Sequence, residues 1–479
     1  MMGQIKPFHI LYTNDLHSHL DQTPKIYSIV HRLRKEWARQ GEQSLLVDIG
    51  DHMDRSCMET EGTDGKVNGA ILEETGYDIV TLGNNELLTF SKEELRLAYK
   101  DHSYCIISSN IFEQEEGKQP SWLKPWKIFS LDGIRVGFIA ATVYYEKVYE
   151  LLGWDVQDPM IRLKQVVQEI KPSVDIVVLL SHLGINRDRE IAQMISGIDL
   201  IIGSHTHHLL EQAEQIGSTW IVAAGKYGEY IGKVLIEWDE DQKVVQQITG
   251  YPVSISEENQ ASEIVQLLQK YRKQAEETLS KPVAELSHSI HMDWKKESPL
   301  GNLLADSLRN WVGAEIALVN SGQLLNHLPK GTVTKGQVHA ICPHLINPVL
   351  LQITGKEIRI TLEESLMNHF QEMPIHGYGF RGEVLGSMCI SGMKVTVDLT
   401  QQPYEQIRTI ELKDRLLKDE DVIEIATIDM FVFGAGYLEL KKGNLIKYYL
   451  PEFLRDLIIA QLQHPLALQE CFDNRWIIR

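Results

Sequence analysis

Cysteine is scarce and unpatterned in this chain. Five occur in 479 residues, Cys57, Cys105, Cys342, Cys389 and Cys471, with no C-x-x-C pair. An odd, scattered set argues against a disulfide framework and suits a reducing compartment. Long apolar runs are missing as well, and no stretch is apolar over the length that spans a bilayer. Positive charge is in short supply: 47 Lys and Arg face 66 Asp and Glu, for a formal net charge of −19. No Lys/Arg cluster offsets that excess. Such a chain repels a polyphosphate backbone, which removes nucleic acid as a main partner. Small anionic substrates stay open, because bound cations can reverse the local potential. The opening residues, MMGQIKPFHILYTND, show no charged segment followed by an apolar core and a small-residue cleavage site. The expectation is a cytoplasmic protein without a membrane partner.

What is present is ordinary in bulk and unusual in detail. With 43% hydrophobic and 24% charged residues, the chain can bury substantial cores, and its length favours two domains. Five polar clusters each follow an Ile/Val/Leu-rich run: FHILYTNDLHSH (8–19), SLLVDIGDHMD (44–54), DIVTLGNNE (78–86), DIVVLLSHLG (175–184) and IDLIIGSHTH (198–207). Runs of this kind fit strands buried on both faces, and the C-terminal ends of such strands are where α/β folds build their sites. Together the clusters supply Asp15, His17, Asp51, Asn84, His182, His205 and His207. Carboxylate, amide and imidazole donors in that mixture suit two divalent ions among Mn, Zn, Fe and Co better than Ca. Gly50 before Asp51 permits a tight turn that lifts a carboxylate over the sheet edge, where its two oxygens can bridge two cations.

From residue 8 to about 238 strand-like runs alternate with helical stretches at 24–39, 67–75, 91–100, 159–170 and 187–195, which predicts an α/β layered domain. Further strands are expected near 104–108, 134–142, 219–225 and 233–238. A polar segment, 251–260, leads into a charged helix over 260–280. Beyond about 285 the composition changes. ESPLGNLLADSLRNWVG (297–313) predicts a helix capped by Ser298 with Pro299 at an early position. Strand-rich parts near 384–398 and 422–433 complete an α+β domain. The expected division is a first domain over 1–250, a linker with a connecting helix over 251–285, and a second domain over 286–479.

The ordered blocks D-x-H, G-D-x-x-D, G-N-x-E, S-H-x-G and G-S-H-T-H resemble the calcineurin-like metallophosphoesterases. In the second half ESPLGNLLADSLR, ALVNSG and LLQITGKEIRITLEESL resemble the C-terminal domain of the 5′-nucleotidase family. The resemblance covers nearly the whole chain. It implies a four-layer sandwich, helices flanking two sheets, followed by an α+β substrate-binding domain. It also implies one metal held by Asp15, His17, Asp51 and His207, and another by Asp51, Asn84, His182 and His205. The activity implied is hydrolysis of a phosphoester, foremost a nucleoside 5′-monophosphate, by a metal-activated water.

Two departures from the family pattern qualify that implication. Relatives read G-N-H-E-F-D, where a His oriented by an Asp assists phosphoryl transfer; here Asn85 and Leu88 stand at those positions. An amide can donate a hydrogen bond but supplies no proton. Losing a general acid costs roughly 10²–10⁴-fold in rate unless another group takes over. Asn85 and His19 are therefore the candidate catalytic side chains. The second departure lies in the nucleoside site: Leu325 replaces an Arg, Ala435 an Asp, and Ser387 falls near one aromatic clamp position. Lys296, Asn320, Phe431 and Tyr437 are the expected substrate contacts. Alternatives are a phosphodiesterase or pyrophosphatase acting on cyclic nucleotides or nucleotide sugars, or a metal- and nucleotide-binding sensor that has lost turnover.

Overall fold

A computed structural model describes residues 5–479, so the first four residues, MMGQ, lie outside the described part. The chain divides into two compact units, one running through Ala275 and the other Glu276–Arg479. Among the described residues no helix is long and apolar enough to cross a membrane.

Two facing sheets form the first unit. One has seven strands in the spatial order Val244–Ser254, Tyr230–Asp239, Ile5–Thr13, Gln43–Asp48, Ile79–Val80, Cys105–Ile107 and Leu123–Lys124. Its strands from Ile5–Thr13 to Leu123–Lys124 run parallel. The other has six strands, with Ile134–Thr142, Ile176–His182, Leu200–Gly203 and Thr219–Val222 parallel at its centre.

Alternation along these strands explains why they read as continuous apolar runs. Phe8, Ile10 and Tyr12 face Val136, Phe138, Val178 and Leu180 in a core between the sheets. Leu11 and Leu46 point the other way, onto Ile29, Val30, Leu33 and Trp37 of the helix Thr23–Gln40. Val177 and Leu179 likewise pack outward against Leu163, Val166 and Ile170 of the helix Pro159–Ile170. Each fully buried Leu, Ile or Val side chain stabilises by about 1.5–3 kcal/mol relative to exposure, which no single-faced sheet collects from every residue. Helix, sheet, sheet, helix is thus the layer order, the four-layer sandwich that the resemblance implied.

Helices at Thr23–Gln40, Lys66–Thr75, Lys92–Ala98, Pro159–Ile170 and Ile185–Met194 match the periodicity read from sequence. Three short helices, Met58–Gly62, Asn84–Thr89 and Glu146–Leu151, were not expected, because turns this brief leave no amphipathic period to read.

In the second unit a five-stranded mixed sheet runs Met388–Ser391, Ile316–Asn320, Val422–Ile428, Pro348–Thr354 and Asn444–Tyr448. The helix Pro299–Val312 starts where expected: Ser298 Oγ accepts from the Gly301 amide, and Gly313 ends it in the left-handed region. One strand expectation is corrected. The segment 422–433 is strand only as far as Ile428, and Asp429–Phe433 is a helical turn closed by Gly434 at φ 96°. Glycine there has no Cβ to penalise the left-handed turn, and the strand cannot continue through it.

Candidate metal centre

All five polar clusters sit just beyond the C-terminal ends of parallel strands of the first unit. Asp15 follows Thr13, Asp51 follows Asp48, Asn84 follows Val80, His182 closes its own strand, and His205 follows Gly203. The backbone there is not relaxed: Asp15, His17, Asp51, His205 and His207 have φ of 48°, 46°, 49°, 71° and 58°. Left-handed backbone costs a non-glycine residue roughly 1–2 kcal/mol, and several such residues together persist only where surrounding structure over-determines them.

That surrounding structure is visible bond by bond. Glu86 is wholly buried and accepts from the amides of Gly83 and Asp51 through Oε2 at 2.9 and 3.0 Å, and from Met53 through Oε1 at 2.9 Å. One side chain therefore locks the Asp51 turn onto the GNNE helix. Burial, then the Asp51 charge, push its carboxyl up to about 7. Gly83 must be glycine, since a Cβ would lie 2.1 Å from Asp51 Oδ1 and 2.7 Å from His182 Cε1. Asp15 has Oδ2 occupied by Asn14 Nδ2 and Ser204 Oγ, both donating at 2.7 Å. His182 Nδ1 donates to the Ile49 carbonyl at 2.8 Å. A carbonyl can only accept, so Nδ1 carries a proton and Nε2 is the nitrogen left to face the site.

Two donor trios result, Asp15–His17–His207 and Asp51–His182–His205, each with ligand atoms within 4.8 Å of one another. His17 Nε2 is 3.9 Å from Asp15 Oδ1 and 3.2 Å from His207 Nε2. Asp51 Oδ2 lies between the trios, 3.9 Å from His17 Nε2 and 3.4 Å from His182 Nε2. Two buried atoms, Asn84 Oδ1 and His182 Nε2, make no hydrogen bond. A buried polar atom left unpaired is costly, and both atoms belong to the set that would ligate a cation.

Electrostatics point the same way. Burial by itself would push the Asp15 and Asp51 carboxyls up, yet the histidines around them hold both low. Burial pulls the His182 imidazole down, but Asp51 beside it lifts it to about 10. Burial and the His182 charge push His205 down to about 4. The assembled set is two buried carboxylates, four imidazoles and the Asn84 amide oxygen. That donor set fits divalent cations.

The other sequence-chosen residues are placed differently. His19 is on the rim, stacked on Tyr227 at 4.0 Å, and the Tyr227 ring meets His17 edge-on at 5.9 Å. The Asn85 amide lies against His17, not toward the open side. In the second unit Asn320, Phe431 and Tyr437 are 0% exposed. Asn320 Nδ2 donates to the Leu385 carbonyl at 2.6 Å and Tyr437 Oη to the Gly386 carbonyl at 2.7 Å. These three are core in this structure, and only Lys296, in an exposed ion pair with Asp293, is open to solvent. Tyr145 was missed from sequence. Its hydroxyl lies 3.4 Å from His205 Nε2, at the N-cap of the short helix Glu146–Leu151, which left no periodic signal.

Comparison with known proteins accounts for both halves. A family model described as calcineurin-like phosphoesterase matches residues 8–209, and one described as 5′-nucleotidase, C-terminal domain, matches 278–439. The chain is 38% identical over 455 residues to an uncharacterized metallophosphoesterase, YunD, of Bacillus subtilis, covering 95% of this chain and 98% of that protein. The chain belongs to the 5′-nucleotidase family of metallophosphoesterases. A 5′-nucleotidase of Rattus norvegicus is 24% identical over 508 residues, 92% of this chain and 85% of that one. The NAD nucleotidase structure of Haemophilus influenzae superposes with a TM-score of 0.70 at 15% identity, covering 99% of this chain and 100% of that one, a likeness of fold. As a member of this family the chain is a metal-dependent phosphoester hydrolase, and the donor trios are its candidate ligands for divalent ions.

Proposed function

We propose that this metallophosphoesterase is a two-metal enzyme hydrolysing nucleoside 5′-monophosphates or closely related nucleotides to nucleoside and phosphate. The observation that carries the reading is Asp51 Oδ2, shared between two donor trios at 3.9 and 3.4 Å. Asp15, His17, Asp51 and His207 would hold one ion, and Asp51, Asn84, His182 and His205 the other. When bound, the pair supplies Lewis-acid polarisation of phosphoryl oxygens and a water acidic enough to ionise near neutrality.

The chain's own residues fix the geometry for that chemistry. Ser204 and Asn14 turn Asp15 Oδ1 inward, Ile49 sets the His182 tautomer, and Glu86 holds the Asp51 turn rigid. Tyr145 Oη, on a half-exposed ring beside His205, is a neutral donor for a leaving-group oxygen. His19 on the rim, stacked on Tyr227, is a second candidate donor. The first domain would carry the chemistry, and a second domain beyond the connecting helix would select the substrate. Five thiols without a disulfide support a cytoplasmic setting.

Purified protein supplied with Mn²⁺ should release phosphate from AMP and from a generic aryl phosphate. Failure on both, at saturating metal, overturns the reading. Burial of Asn320, Phe431 and Tyr437 favours one second reading: a broader phosphodiesterase or pyrophosphatase with a loosely held nucleoside. Turnover of a nucleotide sugar or cyclic nucleotide exceeding that of AMP would select it.

A further inference from the structure

Asn85 occupies the position from which a general acid is missing, yet its side chain is spent elsewhere. It is 8% exposed, and Nδ2 lies 2.9 Å from His17 Nδ1 and 3.3 Å from the Met53 carbonyl. Asn84 Nδ2 donates to Asn85 Oδ1 at 3.3 Å. The Asn85 backbone amide, in the first turn of its helix, donates to Asp51 Oδ1 at 2.7 Å. Every polar atom of Asn85 named here is engaged with the frame of the site.

The two nitrogens of His17 face opposite ways. Nε2 points to His207, Asp15 and Asp51, while Nδ1 points to Asn85 at 2.9 Å and, more distantly, to Asp54 Oδ2 at 3.8 Å. Nε2 can ligate a cation only with its lone pair free, which puts the ring proton on Nδ1 and requires an acceptor there. With the proton on Nε2 instead, Nδ1 requires a donor. A primary amide can offer either face, Nδ2 as here or Oδ1 after a half-turn that gives up the bonds to Met53 and Asn84. An imidazole at this position would have to match its own tautomer to that of His17, and an alkyl side chain would satisfy neither state.

We infer that Asn85 is a positioning residue for His17: its amide holds the ring and satisfies either tautomer, so that His17 can pass from the ion-free to the ion-bound state. It is not a replacement acid. The inference rests on the two-metal reading above, and the test separates the two.

Mn²⁺ binding is followed through the EPR signal of the free ion, for the full-length protein and for Asn85→Ala and Asn85→Asp, with thermal melts confirming the fold of each. The expected result is two Mn²⁺ per wild-type chain. In Asn85→Ala one affinity falls by roughly 10–100-fold while the other stays within about 2-fold. Asn85→Asp keeps an acceptor against Nδ1–H and binds that ion at least as tightly as wild type. Phosphatase activity of Asn85→Ala recovers as Mn²⁺ is raised. Unchanged Mn²⁺ affinities in Asn85→Ala, with a loss of kcat that excess metal does not restore, would overturn the inference and make Asn85 a substrate-facing group. A wild-type chain that binds fewer than two Mn²⁺ would instead overturn the two-metal reading itself. If Asn85→Ala does not fold, Asn85→Asp decides: weaker binding than wild type refutes the inference.

Discussion

The rim of the first unit and the core of the second contain residues chosen from sequence by the same family pattern, and they behave in opposite ways. On the rim, Asp15, His17, Asp51, Asn84, His182, His205 and His207 arrive from five separate strand ends, and the chain tolerates left-handed backbone at five of them. In the second unit Asn320, Phe431 and Tyr437 lie near an expected site but are sealed inside it, bonded to neighbouring carbonyls or packed in the main core. Candidate metal ligands are constrained by charge and geometry, so alternatives are few. An aromatic ring serves equally well as a wall or as core, and the residue type alone does not say which.

The largest effect should come from the carboxylate that lies between the two trios. Asp51→Ala removes the carboxylate between the trios and should lower activity by roughly 10³-fold or more, with loss of bound metal measured on the purified protein. Retention of bound metal and of activity would erase the distinction drawn for the rim. Phe431→Ala tests the other side: a core ring should cost about 3–5 kcal/mol of stability by urea unfolding, with KM of the folded fraction unchanged. A raised KM without destabilisation would return Phe431 to the substrate site.

A pH titration examines the second unit independently of metal. His344 is buried, donates Nε2–H to the Gln323 carbonyl at 2.9 Å and accepts the Arg381 amide on Nδ1 at the same distance. Burial pushes its imidazole down to about 3 from the ordinary 6.5. The unfolded chain therefore binds a proton first as pH falls. His344 contributes stability above pH ~6.5 that is lost progressively toward pH ~3, at roughly 1.4 kcal/mol per unit. His344→Gln should flatten that slope in unfolding measurements, and an identical slope would contradict it. The smallest effect is expected at Lys296. Its exposed ion pair with Asp293 predicts a stability change within about 0.5 kcal/mol for Lys296→Ala. A several-fold rise in KM on the same variant would make it a substrate contact after all.

Strand runs, the five clusters and the main helices of the first unit were legible because burial on both faces and helical periodicity leave strong local patterns. Tyr145 was not: it reaches His205 from the loop that caps a six-residue helix, whose placement depends on packing. Nor was the turn Asp429–Phe433, where the alternation of Phe431 and Phe433 imitates a strand that ends at Ile428.

By itself the sequence determined the alternating α/β pattern of the first unit and the pool of candidate donors, since both follow from residue type at fixed spacing after an apolar run. Tertiary structure alone decided how those donors are used. It set Asp51 between two trios, turned Asn85 onto His17, and closed the second unit over Asn320, Phe431 and Tyr437. The physical reason is distance along the chain. Asp51 and His182 are 131 residues apart, and His17 and Asn85 are 68 apart. Contacts of that kind are fixed by which strands pair and which faces pack, and no local pattern carries them.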